Sequence, residues 1–145
     1  DLTIISSAGG LAVTGGIVNV TPRAGFGVGE YPLLDYTTSF TGSAGNLTIG
    51  SVPGGFVYAF VNNPGTTSIN LVVAAPGDHD QDGDVDQEDF GYFQACLQGP
   101  GWTTTDPACL WARLDPDEDI DMDDYAVFEA CHSGANVQAD APCGP

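Results

Sequence analysis

Seven acidic residues lie within the twelve-residue segment from Asp78 to Asp89, and their spacing suits the chemistry of a bound calcium ion. Carboxylates occupy loop positions 1, 3, 5, 9 and 12 (Asp78, Asp80, Asp82, Asp86 and Asp89), and Asp84 occupies position 7. Oxygen atoms at these positions converge on one ion only if the chain turns sharply at position 6, where Gly83 permits a left-handed backbone. The alternative is a solvated acidic linker, in which nothing would favour glycine at position 6 (Gly83) and an aliphatic residue at position 8 (Val85). The segment therefore predicts a calcium site in which Asp84 contributes its carbonyl and Asp86 acts through water.

A second acidic run, residues 113–124, has the same spacing but lacks the first ligand. Its carboxylates at positions 3, 5, 7, 9 and 12 are Asp115, Asp117, Asp119, Asp121 and Asp124. Arg113 holds position 1, and its guanidinium has no acceptor to offer a cation, while Glu118 replaces the glycine of position 6. Two interpretations remain open. The loop binds calcium weakly through its remaining oxygens, or Arg113 neutralises the cluster in place of an ion.

The two runs belong to an internal repeat with an offset of thirty-five residues. The offset places Val85 on Ile120, Phe90 on Tyr125, Phe93 on Phe128 and Cys96 on Cys131. Each loop continues into a short predicted helix, Asp89–Leu97 in the first copy and Asp124–Cys131 in the second. Aromatic residues at i and i+3 give both helices an apolar face, and we expect these faces to pack together. No helix is predicted before the first loop.

This duplicated arrangement of a calcium loop followed by one helix resembles the dockerin domain, a module built from two half EF-hands. The resemblance covers about residues 77–143, although a cysteine-bearing insertion lengthens the repeat. It implies calcium as the bound ion and a cohesin-like protein as a partner. Aspartate at position 12 of both loops, Asp89 and Asp124, is also similar to dockerins.

The four cysteines follow the same repeat. They permit three disulfide connectivities, and the repeat favours Cys96–Cys109 with Cys131–Cys143. Zinc binding is the alternative, but the close spacing of structural zinc ligands is absent. Disulfides are typical of an oxidising compartment, so we expect a secreted, extracellular or cell-surface protein, and the composition suits a bacterial one.

Composition and charge divide the chain into a β-rich structural domain, residues 1–75, and an acidic domain, residues 76–145. The first part has a net charge of −2, whereas the second has seventeen acidic residues and one arginine, a net charge of −16. With two arginines and no lysine in the whole chain, binding to nucleic acid or to an anionic membrane is excluded. No apolar run approaches the ~20 residues that span a bilayer, so membrane insertion is not expected either.

The β-rich part predicts six strands between glycine, proline and asparagine turns. They are Leu2–Ser6, Leu11–Val20, Tyr31–Phe40, Asn46–Ile49, Phe56–Asn62 and Ser68–Ala74. Both faces of the strand that begins at Phe56 are apolar, which predicts a central position in a two-layer structure. The segments Tyr31–Phe40, Asn46–Gly50 and Val61–Val73 together resemble the closing segment of autotransporter-like β-repeat surface proteins. The fold class that follows is mainly β with a small α part: a β-sandwich or short β-solenoid cap, then the dockerin-like module.

No constellation of catalytic residues is visible, so we expect a protein that is not an enzyme. His79 lies at a loop position that provides no ligand, and His132 follows a helix end. Trp102 and Trp111 lie between the two repeats and are expected to cover the aromatic helices. The sequence favours a calcium-binding structural protein of an extracellular assembly such as a filament or surface layer. The alternatives are a dockerin-type anchor for a cohesin-like partner and a carbohydrate-binding β module with a calcium-stabilised appendage.

The N-terminal strand is the segment predicted to drive self-assembly. Leu2 and Ile4 alternate with Thr3, and residues 7–10 form a flexible hinge. Residues 1–8 are expected to pair with a neighbouring subunit and so to form a calcium-dependent polymer. The alternative is that this strand folds back onto its own sheet.

Overall fold

A computed structural model describes residues 3–5, 10–140 and 142–145 of this chain. The chain divides into two compact units. The first consists of Asp1–Pro53 with Tyr58–Val73, and the second of Gly54–Val57 with Ala74–Pro145. Strands outnumber helices in the described residues, which contain two α-helices and two disulfides, and the strands form no closed barrel there.

The described residues form eight strands, which lie in the first unit except for Val57 at the start of β7 and Ala74 at the end of β8. In chain order they are β1 (Thr3–Ile5), β2 (Leu11–Val13), β3 (Gly16–Val18), β4 (Gly29–Tyr36), β5 (Phe40–Gly42), β6 (Leu47–Ile49), β7 (Val57–Asn63) and β8 (Ser68–Ala74). A four-stranded sheet has the order β1-β4-β8-β7, in which β1 is parallel and β8 antiparallel to β4. Two further parallel pairs join β2 to β5 and β3 to β6.

The predicted strand Leu11–Val20 is in fact two strands. Val13 pairs with Gly42 and Gly16 pairs with Leu47. Between these two pairs lie two residues of the first segment, 14–15, and four residues of its partner, 43–46. The extra residues of the partner form a 3₁₀ turn, Ala44–Asn46. The Asn46 side chain donates a 2.8 Å hydrogen bond to the Val13 carbonyl, which holds the turn where the pairing is interrupted. An unequal count of residues between two ladders breaks the strand in the way a bulge does.

The core of the first unit explains a second difference from the sequence prediction. Strand β8 lies between β4 and β7 and is almost wholly buried, with Ile69 at 0% exposure. By contrast β7, which contains most of the segment predicted to be central, lies at the end of the strand order and exposes Val57 and Val61. The prediction was wrong because one face of β7 carries apolar residues that the fold leaves uncovered. The buried core of this unit comprises Leu11, Val13, Tyr36, Ala44 and Ile69.

The N-terminal strand pairs within its own chain. Thr3, Ile4 and Ile5 pair in parallel with Leu34, Asp35 and Tyr36 of β4. This is the second of the two alternatives for this segment, the one in which the strand folds back onto its own sheet. Residues 1, 2 and 6–8 of the predicted linking segment lie outside the described residues.

The second unit contains two α-helices, α1 (Gln87–Cys96) and α2 (Met122–Cys131), and a 3₁₀ turn, Leu110–Ala112. Both predicted helices are confirmed, and each begins two residues earlier than predicted. Their aromatic faces meet as expected, because the Phe93 and Phe128 rings lie 5.4 Å apart and both are buried. No helix precedes the first loop in the described part of the chain.

The disulfides are those that the repeat predicts, Cys96–Cys109 and Cys131–Cys143. Each closes a segment that leaves the end of a helix. We call residues 97–109 the first tail and residues 132–143 the second tail. Trp111 lies just beyond the first tail and packs on Phe93 as expected, with ring centroids 6.5 Å apart. The equivalent expectation for Trp102 was wrong, since 71% of its surface is exposed. No helix among the described residues is both long and apolar enough to cross a membrane.

Candidate metal centre

The last carboxylate of the first loop holds that loop closed. Asp89 accepts hydrogen bonds from the His79 amide at 2.8 Å through Oδ1 and from the Asp86 amide at 2.9 Å through Oδ2. Asp86 in turn accepts from the Glu88 amide at 2.7 Å, and its reciprocal bonds with Asp89 form a capping box at the start of α1. These bonds satisfy helix N–H groups that would otherwise lack partners. The residues that predict a metal site therefore also begin the helix.

Short-range turns shape the middle of the loop. Asp80 accepts from the Asp82 amide at 3.2 Å, and Asp82 accepts from the Asp84 amide at 3.1 Å. Gly83 has a φ of +100°, and a Cβ built there would have nothing within 4 Å. Glycine is therefore favoured at position 6 by the backbone conformation and not by lack of space. This is the turn that the sequence predicted.

The carboxylates of the first loop form two groups that share Asp89. Oxygens of Asp78, Asp80 and Asp89 lie within 4.8 Å of one another, and so do those of Asp84, Asp86 and Asp89. Either group could hold a metal ion. Asp82 belongs to neither group, and its carboxylate is engaged with the Asp84 amide. The Asp84 carboxylate, at the position predicted to provide a carbonyl ligand, accepts a hydrogen bond from the Asn136 amide.

Asp78 carries the clearest electrostatic signature of the loop. Burial, followed by the negative charge of Asp89, raises the pKa of Asp78 from its usual 3.8 to about 6. One of its oxygens, Oδ1, is buried without a hydrogen-bond partner among the described residues. A cation beside Asp78 would offset both the burial and the repulsion, because an opposite charge favours the ionised form.

The second loop repeats the hydrogen bonds of the first. Asp124 accepts from the amides of Leu114 at 2.6 Å, Asp115 at 3.1 Å and Asp121 at 2.8 Å. Two groups of carboxylates again share this residue, and each could hold an ion: Asp115, Asp117 and Asp124, and Asp119, Asp121 and Asp124. All five predicted acidic residues of this loop are thus brought together.

Arg113 and the local backbone distinguish the second loop from the first. The Arg113 guanidinium donates a hydrogen bond through Nη2 to the Thr104 carbonyl, and its Nε is buried without a partner among the described residues. Gln81 and Gly83 have positive φ values at positions 4 and 6 of the first loop, whereas Pro116 and Glu118 at the same positions of the second do not. The second loop therefore lacks the carboxylate at position 1 and has a different turn.

The residues of the tails that contact the loops were not predicted from the sequence. Asp84 accepts from the Asn136 amide, and Asp119 accepts from the Gly101 amide. Gly101 and Asn136 are thirty-five residues apart, both have positive φ, and they are equivalent under the repeat. The repeat offset was the signal that could have identified them, had it been continued beyond the cysteines.

His79 is placed by aromatic packing. Its ring lies 4.5 Å from that of Tyr92 and 4.3 Å from that of Trp111. This stack joins position 2 of the first loop to α1 and to the 3₁₀ turn. Trp111 is consequently an intrinsic fluorescent reporter close to the first loop.

Comparisons with protein-family models, with curated proteins and with solved structures found no match. Function therefore has to be inferred from the loops, the disulfides and the charge of the second unit.

Proposed function

We propose that the second unit is a dockerin-like module that binds calcium through its first loop. The observation that carries this proposal is that oxygens of Asp78, Asp80 and Asp89 lie within 4.8 Å of one another, while Oδ1 of Asp78 is buried with no hydrogen-bond partner among the described residues. Side-chain oxygens of Asp78, Asp80, Asp82 and Asp89 would hold the ion, together with the Asp84 carbonyl and a water held by Asp86. Asp82 would have to release the Asp84 amide to join them.

The chemistry of the ligands supports calcium over softer metals. The acidic groups offer only carboxylate oxygens, and hard cations such as calcium take six to eight oxygen ligands in flexible geometry. All four cysteines are in disulfides, so no thiolate is available for zinc or copper. The second loop, in which Arg113 occupies position 1, binds calcium more weakly than the first.

Calcium in this module stabilises the fold. Residues 76–145 carry a net charge of −16, and the self-repulsion of such a charge opposes compaction. An ion bound only by the folded form stabilises it by mass action. The two disulfides add a further constraint and fit a secreted protein. We assign the protein a structural role that involves no catalysis.

The module serves an extracellular assembly, in which a copy of this chain or a cohesin-like protein is the partner. Support comes from apolar side chains on the second unit that remain exposed, among them Trp102 at 71% and Met122 at 61%. Because β1 pairs within its own chain, the proposal does not depend on exchange of the N-terminal strand.

Thermal unfolding and light scattering, each in excess calcium and in excess chelator, test this function. Calcium should raise the melting temperature of the protein, and association should require it. A melting temperature that is the same in calcium and in chelator would contradict the stabilising role. A monomer at every calcium concentration, with no cohesin-like partner bound, would contradict the assembly role alone.

A further inference from the structure

The second tail contacts the loop of the first repeat. The Val85 carbonyl accepts from the amides of Ser133 at 2.9 Å and Gly134 at 3.1 Å, and the Val85 amide donates to the Ser133 hydroxyl at 3.0 Å. The Gly83 carbonyl accepts from the Ala139 amide at 2.9 Å. With the bond from the Asn136 amide to Asp84, these contacts cover positions 6, 7 and 8 of the first loop.

The first tail contacts the loop of the second repeat in the same way. The Ile120 carbonyl accepts from the amides of Gln98 and Gly99, both at 3.0 Å. The Glu118 carbonyl accepts from the Thr104 amide at 2.9 Å, and Asp119 accepts from the Gly101 amide. Each of these four donors lies thirty-five residues before its counterpart in the second tail. The contacts are therefore reciprocal: each tail leaves its own helix and holds the loop of the other copy.

We propose that each disulfide-closed tail sets the metal affinity of the loop in the other copy, so that Cys131–Cys143 controls the first loop and Cys96–Cys109 controls the second. This inference rests on the proposed calcium function of the first loop. Proximity in sequence would instead favour control of the first loop by Cys96–Cys109, because Cys96 lies at the end of α1, the helix that follows this loop.

The physical basis is preorganisation of the loop. Position 7 would provide its carbonyl to the ion, and the second tail fixes the residues on both sides of that carbonyl through Gly83 and Val85. A closed tail has fewer conformations to lose when it forms these contacts, since the disulfide joins its end to the end of the helix. Opening the tail frees positions 6 to 8, and calcium must then order them as it binds, which lowers the affinity.

Two matched double variants test the inference. Cys131→Ser with Cys143→Ser should weaken calcium binding at the first loop by roughly tenfold, equivalent to about 1.4 kcal/mol. Cys96→Ser with Cys109→Ser should change it by less than about twofold, although the two disulfides close tails of similar length. Calorimetric titration with calcium chloride measures the affinity, and far-UV circular dichroism checks that both variants fold.

Ser133 allows a test that leaves both disulfides intact. Ser133→Ala removes the acceptor of the buried Val85 amide and should speed hydrogen exchange at that amide in calcium-free protein, while Ser133→Thr keeps a hydroxyl and should restore protection. Gln98→Ala, at the equivalent position of the first tail, is the matched control and should leave Val85 exchange unchanged.

The outcomes separate this inference from the proposed function. Equal loss of affinity in the two double variants, or a greater loss on removal of Cys96–Cys109, would overturn the reciprocal control while leaving calcium binding established. Unchanged Val85 exchange in Ser133→Ala would overturn the structural contact itself. A parent protein that binds no calcium would refute the proposed function and the affinity claim together.

Discussion

Replacement of Asp89 by alanine should abolish tight calcium binding, and the same change at Asp124 provides a control with a matched structural cost. Asp89 is 1% exposed and accepts two backbone N–H bonds, at 2.8 and 2.9 Å. Hydrogen bonds to charged groups contribute about 1.5 to 3 kcal/mol each. We therefore expect Asp89→Ala to lower the free energy of unfolding of the calcium-free second unit by ~3 kcal/mol, after allowance for the relief of its repulsion with Asp78.

Asp124 is equally buried and accepts three backbone N–H bonds, so Asp124→Ala should destabilise the calcium-free protein by at least as much. The two variants should differ in their effect on the tight site. Asp89→Ala removes the carboxylate that both acidic groups of the first loop share and should weaken binding there by ~100-fold or more. Asp124→Ala should change the affinity of that site by less than about tenfold.

Chemical denaturation in chelator gives the structural cost, and calorimetric titration at a temperature where both variants are folded gives the affinity. If Asp89→Ala and Asp124→Ala reduced calcium affinity equally, Asp89 would act only by holding the fold. If Asp89→Ala bound calcium as tightly as the parent, its assignment as a ligand would be refuted.

Three further predictions concern the second loop, the pH and the core. Arg113→Asp should strengthen calcium binding at the second loop by restoring the position 1 carboxylate, and an unchanged second-site affinity in a titration would show that Arg113 does not limit it. The pKa of Asp78 is higher in the calcium-free fold than in the unfolded chain. The free energy of unfolding of the calcium-free protein should therefore fall as pH rises from about 4 to about 6. Calcium competes with the Asp78 proton and should bind about tenfold more weakly at pH 5 than at pH 7; a pH-independent affinity measured by Trp111 fluorescence would contradict this. Phe93→Ala should lower the free energy of unfolding of the second unit by ~3–5 kcal/mol, since the ring is fully buried, and a loss below ~1 kcal/mol in denaturant titration would show that the aromatic faces do not support the unit.

The features that the sequence predicted well depend on short-range patterns. Both helices follow from their apolar spacing, and their earlier starts follow from the capping residues Asp86 and Asp121. The disulfide pairs follow from the repeat, which placed each second cysteine at a similar distance from a helix end. The grouping of carboxylates also follows, because turns between residues two apart shape each loop.

The features that the sequence did not predict depend on pairing between distant segments. The break between β2 and β3 arises from extra residues in the partner segment, around Ala44. No local pattern in residues 11–20 predicts this break. The alternation of aromatic and aliphatic residues in β7 did not reveal that β8, and not β7, would lie between two other strands of the sheet. The hydrogen bonds by which each tail holds the loop of the other copy are donated by backbone N–H groups, such as that of Asn136. Every residue except proline carries such a group. Residue types alone therefore did not reveal it, although the repeat offset that relates Gly101 to Asn136 could have done so.

The most direct test of calcium binding by the first loop is a calorimetric titration of the parent protein and of Asp78→Ala with calcium. Asp78 is suited to this test because burial and the negative charge of Asp89 disfavour its ionised form in the calcium-free fold, so its removal relieves that repulsion while removing the first ligand. The parent should show one tight site, and Asp78→Ala should lose it while keeping its secondary structure. Equal calcium affinity in the two proteins would contradict the assignment of this loop as a calcium site.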